Sequence, residues 1–206
     1  LEGRPLTPLR AATSSGGDFA VASGGESLQT ILLDPATSTA MVTAAVAAIV
    51  ADPEAVAVGE TAGLHLSFKL GHPFEQTPVD GPLWFALVDA LAGHGVPLDL
   101  HLEAVVDEVI QTPTWLRQRS AANPATLDGT IGHLEALLAY QRGTVVVVDH
   151  VGWTNTGEGT PELWSSLLAA HPNLVLQLRC FEPGTRNTST PLVGSVDAPA
   201  WDPAWL

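Results

Sequence analysis

Residues 83–103 read LWFALVDALAGHGVPLDLHLE and contain one helix followed by one strand. Over residues 83–94, apolar side chains recur at the three- and four-residue spacing of an amphipathic helix. Gly95 is the residue type that most readily closes such a helix. Apolar and polar side chains then alternate over residues 96–103, which predicts a strand. This segment therefore predicts one helix–strand unit of an α/β protein.

Further helices and strands alternate on both sides of this unit. Strands separated by helices at this spacing predict βαβ units and a parallel sheet. An open, doubly wound sheet and a closed (β/α)8 TIM barrel both satisfy the pattern. Residues 1–35 lack it and are predicted to be an irregular leader, or a piece of the start of the barrel. Helices are predicted at residues 38–51, 126–142 and 160–171, and strands at residues 55–59, 64–70, 144–150 and 174–180.

The amino-acid composition excludes several classes of protein and of binding partner. The chain has 206 residues, 46% of them hydrophobic, which is enough for a core and excludes a disordered chain. Its 22 acidic and 8 basic residues give a net charge of −14. Nucleic acid and anionic membranes need clustered Lys and Arg, so neither is expected as a partner. The single cysteine excludes a disulfide framework within the chain.

Three predicted strands carry polar side chains on one face, although both faces of a parallel sheet are usually covered by apolar groups. Burying ionisable groups without partners is costly. A barrel meets this constraint, because its polar side chains point inward near the carboxyl ends of the strands. We therefore expect a (β/α)8 TIM barrel whose first and last strands are not recognisable; the alternative is a half-solvated sheet with a wet polar face. The polar sets are His65, Ser67 and Lys69; Asp99, His101 and Glu103; and Gln177 and Arg179.

Histidines and carboxylates at strand ends suggest a metal site. His101 and Glu103 share one face of a strand, while His150 and Glu60 are each predicted to end another strand. A catalytic zinc uses about three such ligands and keeps one position open for water. We predict a divalent metal site formed by these four residues. Zn is the first expectation, and Mn, Fe or Ni would suit the same donors.

Five short stretches resemble the amidohydrolase-related metal-dependent hydrolases. This TIM-barrel group includes enzymes like aminocarboxymuconate-semialdehyde decarboxylase, and the likeness covers roughly residues 36–206, which we assign to one barrel domain. The stretches are VGE at 58–60, GLHLSF at 63–68, HGVPLDLHLE at 94–103, DHVGW at 149–153 and HPNL at 171–174.

The resemblance implies roles for individual residues. His101 matches the family's metal-binding histidine on the fifth strand, and His150 matches the sixth-strand metal ligand or general acid/base. Glu60, or else Lys69, matches the fourth-strand ligand. The family's opening His-x-His pair is not found in residues 1–35, and its closing aspartate is expected after Leu206. We therefore expect a fragment of a longer enzyme, the alternative being a degenerate barrel.

The predicted function is that of a metal-dependent hydrolase acting on a small, carboxylate-bearing organic substrate through a metal-activated water. His150 is predicted to carry the proton, with Asp149 assisting it. A non-oxidative decarboxylase, or a non-catalytic barrel that binds a small molecule, are the alternatives. We also expect a homo-oligomer in the cytoplasm. The predicted substrate-binding residues are His65, Lys69, Arg179, Trp153 and Asn155.

Overall fold

A computed structural model describes residues 28–53, 55–64, 78–102, 127–151, 160–178, 192–195 and 198–201. Among these residues, no helix is long and apolar enough to cross a membrane. The elements run in the order α1 (Leu28–Leu33), α2 (Thr39–Val50), β1 (Val58–Leu64), α3 (Pro82–His94), β2 (Leu98–Leu102), α4 (Leu127–Tyr140), β3 (Val146–Val151), α5 (Pro161–Ala170), β4 (Leu174–Leu178), β5 (Leu192–Ser195) and β6 (Ala198–Trp201).

Strands β1 to β4 form one parallel sheet in which each strand pairs with the next along the chain. This confirms the predicted α/β class with a parallel sheet. A doubly wound sheet reverses its strand order at a switch point, and the four described parallel strands contain no such reversal. Because βαβ connections are right-handed, this order places the connecting helices α3, α4 and α5 on one face of the sheet.

The core lies between that face and the helices. Strands β2 and β3 contribute alternate residues such as Leu98, Leu100 and Val146, all of them buried. Helix α3 ends at Gly95, whose φ of 67° is the left-handed conformation that glycine adopts without a steric penalty. The helix faces predicted from apolar spacing are confirmed. Their buried side chains are Trp84, Leu87, Val88 and Leu91 on α3, and Ile131, Leu134 and Leu138 on α4.

The predicted boundary near Glu60 is wrong. Strands were expected at residues 55–59 and 64–70, whereas β1 spans Val58–Leu64 and includes the residues between them. Residues 60–63 are Glu, Thr, Ala and Gly, which give no alternation of apolar and polar side chains, and pairing with β2 holds them in the sheet instead. Glu60 therefore lies inside a strand. Residues 65–70 lie outside the described residues.

The hairpin of β5 and β6 is a feature that the sequence patterns did not predict. Its two strands pair antiparallel, with Leu192 opposite Trp201 and Ser195 opposite Ala198. Gly194 and Pro199 are residue types that strands disfavour, and they face each other in this ladder. Each strand has only four residues, which is too short for periodicity to be recognised.

Two polar side chains, those of Thr144 and Asn173, form hydrogen bonds that link the segment before β3 to helices α3 and α4. The Thr144 hydroxyl donates a 2.6 Å hydrogen bond to the carbonyl oxygen of Val88 on α3. The buried Asn173 places its Nδ2 within 3.3 Å of the Leu138 carbonyl and within 3.2 Å of the carbonyls of Gln141 and Thr144. The bond to Leu138 satisfies a carbonyl in the last turn of α4, which has no partner within the helix itself. Together, these bonds hold the amino-terminal side of the sheet to the helices.

Strands β1 and β2 approach each other closely at Gly59. Val58 pairs with Leu98 and Thr61 with Leu100, so β1 contains one more residue than β2 over this stretch. A Cβ added at Gly59 would collide with both the Cβ and the carbonyl oxygen of Asp99. Backbone cannot move aside as a flexible side chain can, so this bulged position requires glycine.

We expect Gly59→Ala to lower the free energy of unfolding by about 1–3 kcal/mol, the usual cost of overpacking. Gly93 is the matched control, because it lies on α3 and an added Cβ there would meet nothing within 4 Å. Gly93→Ala should raise the free energy of unfolding by up to about 1 kcal/mol through helix propensity. Urea denaturation of the two variants measures both changes. Equal stability of the two variants would contradict the close approach of β1 and β2.

Tyr140 and Asp89 connect α4 to α3 at the surface. The Tyr140 hydroxyl donates a 2.8 Å hydrogen bond to Asp89 Oδ2, and this bond raises the pKa of Tyr140 above its ordinary value. A raised pKa means that the bond stabilises the fold below the ordinary tyrosine pKa, and that this contribution is lost as the pH rises through the raised value.

Asp89→Asn should lower the pKa of Tyr140 toward its ordinary value, because the charged acceptor is removed. The chain contains a single tyrosine, so tyrosinate absorbance during an alkaline titration reports this residue alone. Glu135→Gln, which removes an exposed carboxylate elsewhere on α4, should leave the titration midpoint unchanged. If Asp89→Asn leaves the midpoint where it was, the hydrogen bond does not persist in solution.

Candidate functional site

His101 and Asp149 directly follow the last paired residues of the neighbouring strands β2 and β3. Asp99 pairs with Val147 in the ladder between β2 and β3, and the last registered pair is Leu100 with Val148. His101 and Asp149 are the next residue on each strand. Because side chains alternate along a strand, His101 follows Asp99 on the face opposite Leu98 and Leu100. The register thus brings the ends of two strands together, and with them two residues that are 48 positions apart in the chain.

Both side chains are shielded from water. His101 is 2% exposed and Asp149 3% exposed, so the polar face is covered at β2 and β3. The alternative of a half-solvated sheet with a wet polar face does not hold at these two strands. At β4 it holds, because Gln177 is exposed and Val175 is 45% exposed. These polar residues are therefore buried at β2 and β3, whereas at β4 the side chains of Val175 and Gln177 are exposed to solvent.

Asp99 adds a third ionisable side chain to this region. It lies on the same face of β2 as His101, two residues before it. Its Oδ1 atom is buried and has no hydrogen-bond partner among the described residues. Such an atom normally finds a proton donor or a cation, because burial without one costs free energy. Sequence reasoning placed Asp99 on the polar face but did not choose it as a site residue. The feature of the sequence that could have identified Asp99 as a site residue is its position two residues before His101, on the same face of the strand.

The ladder between β3 and β4 shifts register at Asp149 and His150. Val148 pairs with Leu176 and Val151 with Leu178, so β3 holds one extra residue in this interval. The alternation that would set Asp149 and His150 on opposite faces applies only to a regular strand. Strand β3 also continues to Val151, so the prediction that His150 ends the strand is wrong by one residue. Bulges of this kind are frequent next to active sites, where they re-aim side chains.

Glu60 lies at a different level of the sheet from His101. Ala62 is the β1 residue paired with His101, and Glu60 precedes it by two residues. Two residues of strand span about 6–7 Å. The side chains of Glu60 and His150 lie outside the described part of the structure. The remaining predicted site residues, Glu103, His65, Lys69, Arg179, Trp153 and Asn155, also lie outside it.

The donor types present fit part of a metal site. An imidazole and a carboxylate, from His101 and Asp149, are ligands that zinc commonly takes. Among the side chains that the structure describes, no group of three or more His, Cys, Asp or Glu residues is placed to hold a metal ion. A complete ligand set would therefore include residues beyond those described. No protein-family model matches the chain, and no curated protein does either.

A double-mutant cycle tests the adjacency of His101 and Asp149. We expect His101→Ala and Asp149→Ala each to destabilise the fold, and the double variant to depart from the sum of the two by about 0.5–3 kcal/mol, as is typical of residues in contact. The control cycle pairs His101→Ala with Glu135→Ala on the surface of α4, and it should be additive within about 0.5 kcal/mol. Urea denaturation supplies all the values. Additivity in both cycles would contradict the register at the ends of β2 and β3.

Proposed function

We propose that this chain forms part of a metal-dependent hydrolase built on a (β/α)8 barrel, with its site at the carboxyl ends of the strands. The observation that carries the proposal is the burial of His101 and Asp149, the two residues that directly follow the last registered pair of β2 and β3. Ionisable groups are buried where they are paired or bind a metal.

The strand order supports the barrel part of the proposal. Four parallel strands in sequential order, with their connections on one face, are what a segment of barrel wall contains. The second face of such a wall lines the interior of the barrel. Active sites of barrel enzymes lie at the carboxyl ends of the strands, and His101 and Asp149 lie near those ends of β2 and β3.

Within this proposal, His101, Glu60 and Glu103 would hold a divalent ion. A bound ion of this kind lowers the pKa of a water molecule and polarises a carbonyl group. Asp149 is a positioning residue, because a carboxylate beside a metal-binding imidazole orients its ring. His150, next to it, would serve in one of two ways: as a further ligand of the ion, or, unbound, as the base that takes a proton from water and passes it to the leaving group. The amidohydrolase-related enzymes remain the family that these residues resemble.

Metal content tests the proposal. We expect the protein, after reconstitution with Zn²⁺ and removal of excess ion, to retain close to one metal per chain, and His101→Ala to lose at least about tenfold in zinc affinity. His94→Ala is the control, because His94 is an exposed histidine at the end of α3. Elemental analysis measures retained zinc, and circular dichroism confirms that each variant is folded. Zinc at background in the folded parent, or equal retention in the two variants, would reject the metal site.

A further inference from the structure

Helices α2, α3 and α4 border a groove of about 600 Å³. This volume falls within the range of small-molecule sites, roughly 300–1,000 Å³. Its lining includes Thr39 and Thr43 on α2, Phe85 and Asp89 on α3, and Tyr140 on α4. The groove is a separate feature from the face of the sheet that carries His101 and Asp149, and the proposed hydrolase chemistry does not use it.

Asp89 gives the groove a fixed negative charge, and it is the one charged residue among the described residues that line it. Its Oδ2 accepts a 2.8 Å hydrogen bond from the Tyr140 hydroxyl, and its Oδ1 accepts one of 2.8 Å from Gln141 Nε2. These two bonds hold the carboxylate in one orientation. A carboxylate accepts about four hydrogen bonds, so each oxygen retains capacity for a ligand.

An aromatic pair lies next to this carboxylate. The rings of Phe85 and Tyr140 stack with centroids 4.1 Å apart and planes inclined by 13°. Phe85 covers one face of the Tyr140 ring, yet half of the Tyr140 side chain stays exposed. Aromatic faces attract cations, most effectively where a carboxylate adds its own charge. The pair is also held rigidly, since the Tyr140 hydroxyl is bonded to Asp89.

The opposite wall of the groove adds a hydrogen-bond acceptor. The Thr43 hydroxyl donates its proton to the carbonyl oxygen of Thr39 at 3.1 Å, so its oxygen is left to accept from a ligand. Acceptors, a carboxylate and aromatic rings together favour a ligand that donates or carries positive charge. The net charge of −14 adds a long-range attraction for cations.

We propose that the groove between α2, α3 and α4 binds a small organic cation, an ammonium group that carries an apolar portion. The ammonium lies beside the Asp89 carboxylate, against the face of the Tyr140 ring that Phe85 leaves uncovered, and the apolar portion packs on Ala86 and Ala90 in the lining of the groove. Anions are excluded by Asp89, and neutral molecules of the same shape gain only the apolar contact. The ligand is a free small molecule, since the volume matches one.

Choline and its neutral isostere, 3,3-dimethylbutan-1-ol, form a matched pair of probes for the full chain. We expect choline to bind saturably with a dissociation constant of about 1–10 mM, and the isostere to bind at least about tenfold more weakly. Chemical-shift titration measures both affinities. Tyrosinate absorbance gives a second readout, because a cation beside the phenolate lowers the pKa of the single tyrosine. Equal binding of the two probes, or no saturable binding of choline, would overturn the proposal.

Two variants locate the site. Asp89→Asn keeps the size of the side chain and removes its charge, and it should weaken choline binding by about tenfold. Tyr140→Leu removes the aromatic ring and should weaken binding by a similar factor. Glu135→Gln removes one exposed carboxylate of α4 and should leave the affinity within about twofold. Unchanged affinity in both groove variants would place the choline elsewhere and overturn the assignment.

Discussion

Strand β2 is hydrogen-bonded on both edges and buried on both faces, and the other described parts of the sheet are arranged around it. Its parallel pairing with β1 and β3 sets which residues of those strands lie at the same level. One face, with Leu98 and Leu100, enters the apolar core, and the other carries Asp99 and His101. A strand in this position does not tolerate a change of pairing register, because a slip of one residue would turn His101 into the apolar core.

The two ends of the sheet differ in chemistry. At the amino-terminal side, Asn173 and Thr144 engage carbonyl groups of the helices and of a loop, which is a structural use of polar side chains. At the carboxyl side, the bulge at Asp149 and His150 interrupts the ladder beside the buried His101. Barrel proteins divide stability and chemistry between their two ends in the same way. Such a division lets the site vary while the helices remain fixed.

Prediction from the sequence succeeded where the signal was local. Helix α3 was expected at residues 83–94 and is found at Pro82–His94, because its apolar spacing, Pro82 and Gly95 all act within a few residues. It failed at Glu60, which was assigned to the end of a strand and lies within β1. No local pattern marks that stretch. Its place in the sheet comes from pairing with β2 and from the room that Gly59 leaves for Asp99.

By itself, the sequence determined helices α2 to α5, the alternation of helices with strands and hence the parallel sheet, because hydrophobic periodicity and capping residues act over short distances. Helix α1, at Leu28–Leu33, lies in the stretch that was predicted to be irregular. The sequence also marked His101 and Asp149 as polar residues in apolar strands. Only the tertiary structure decided that both residues are buried just beyond the last registered pair of β2 and β3, and that Glu60 lies at a different level from His101. Strand register is a long-range property: it depends on bulges and on hydrogen bonds between segments separated by whole helices, and periodicity within one segment carries no information about them.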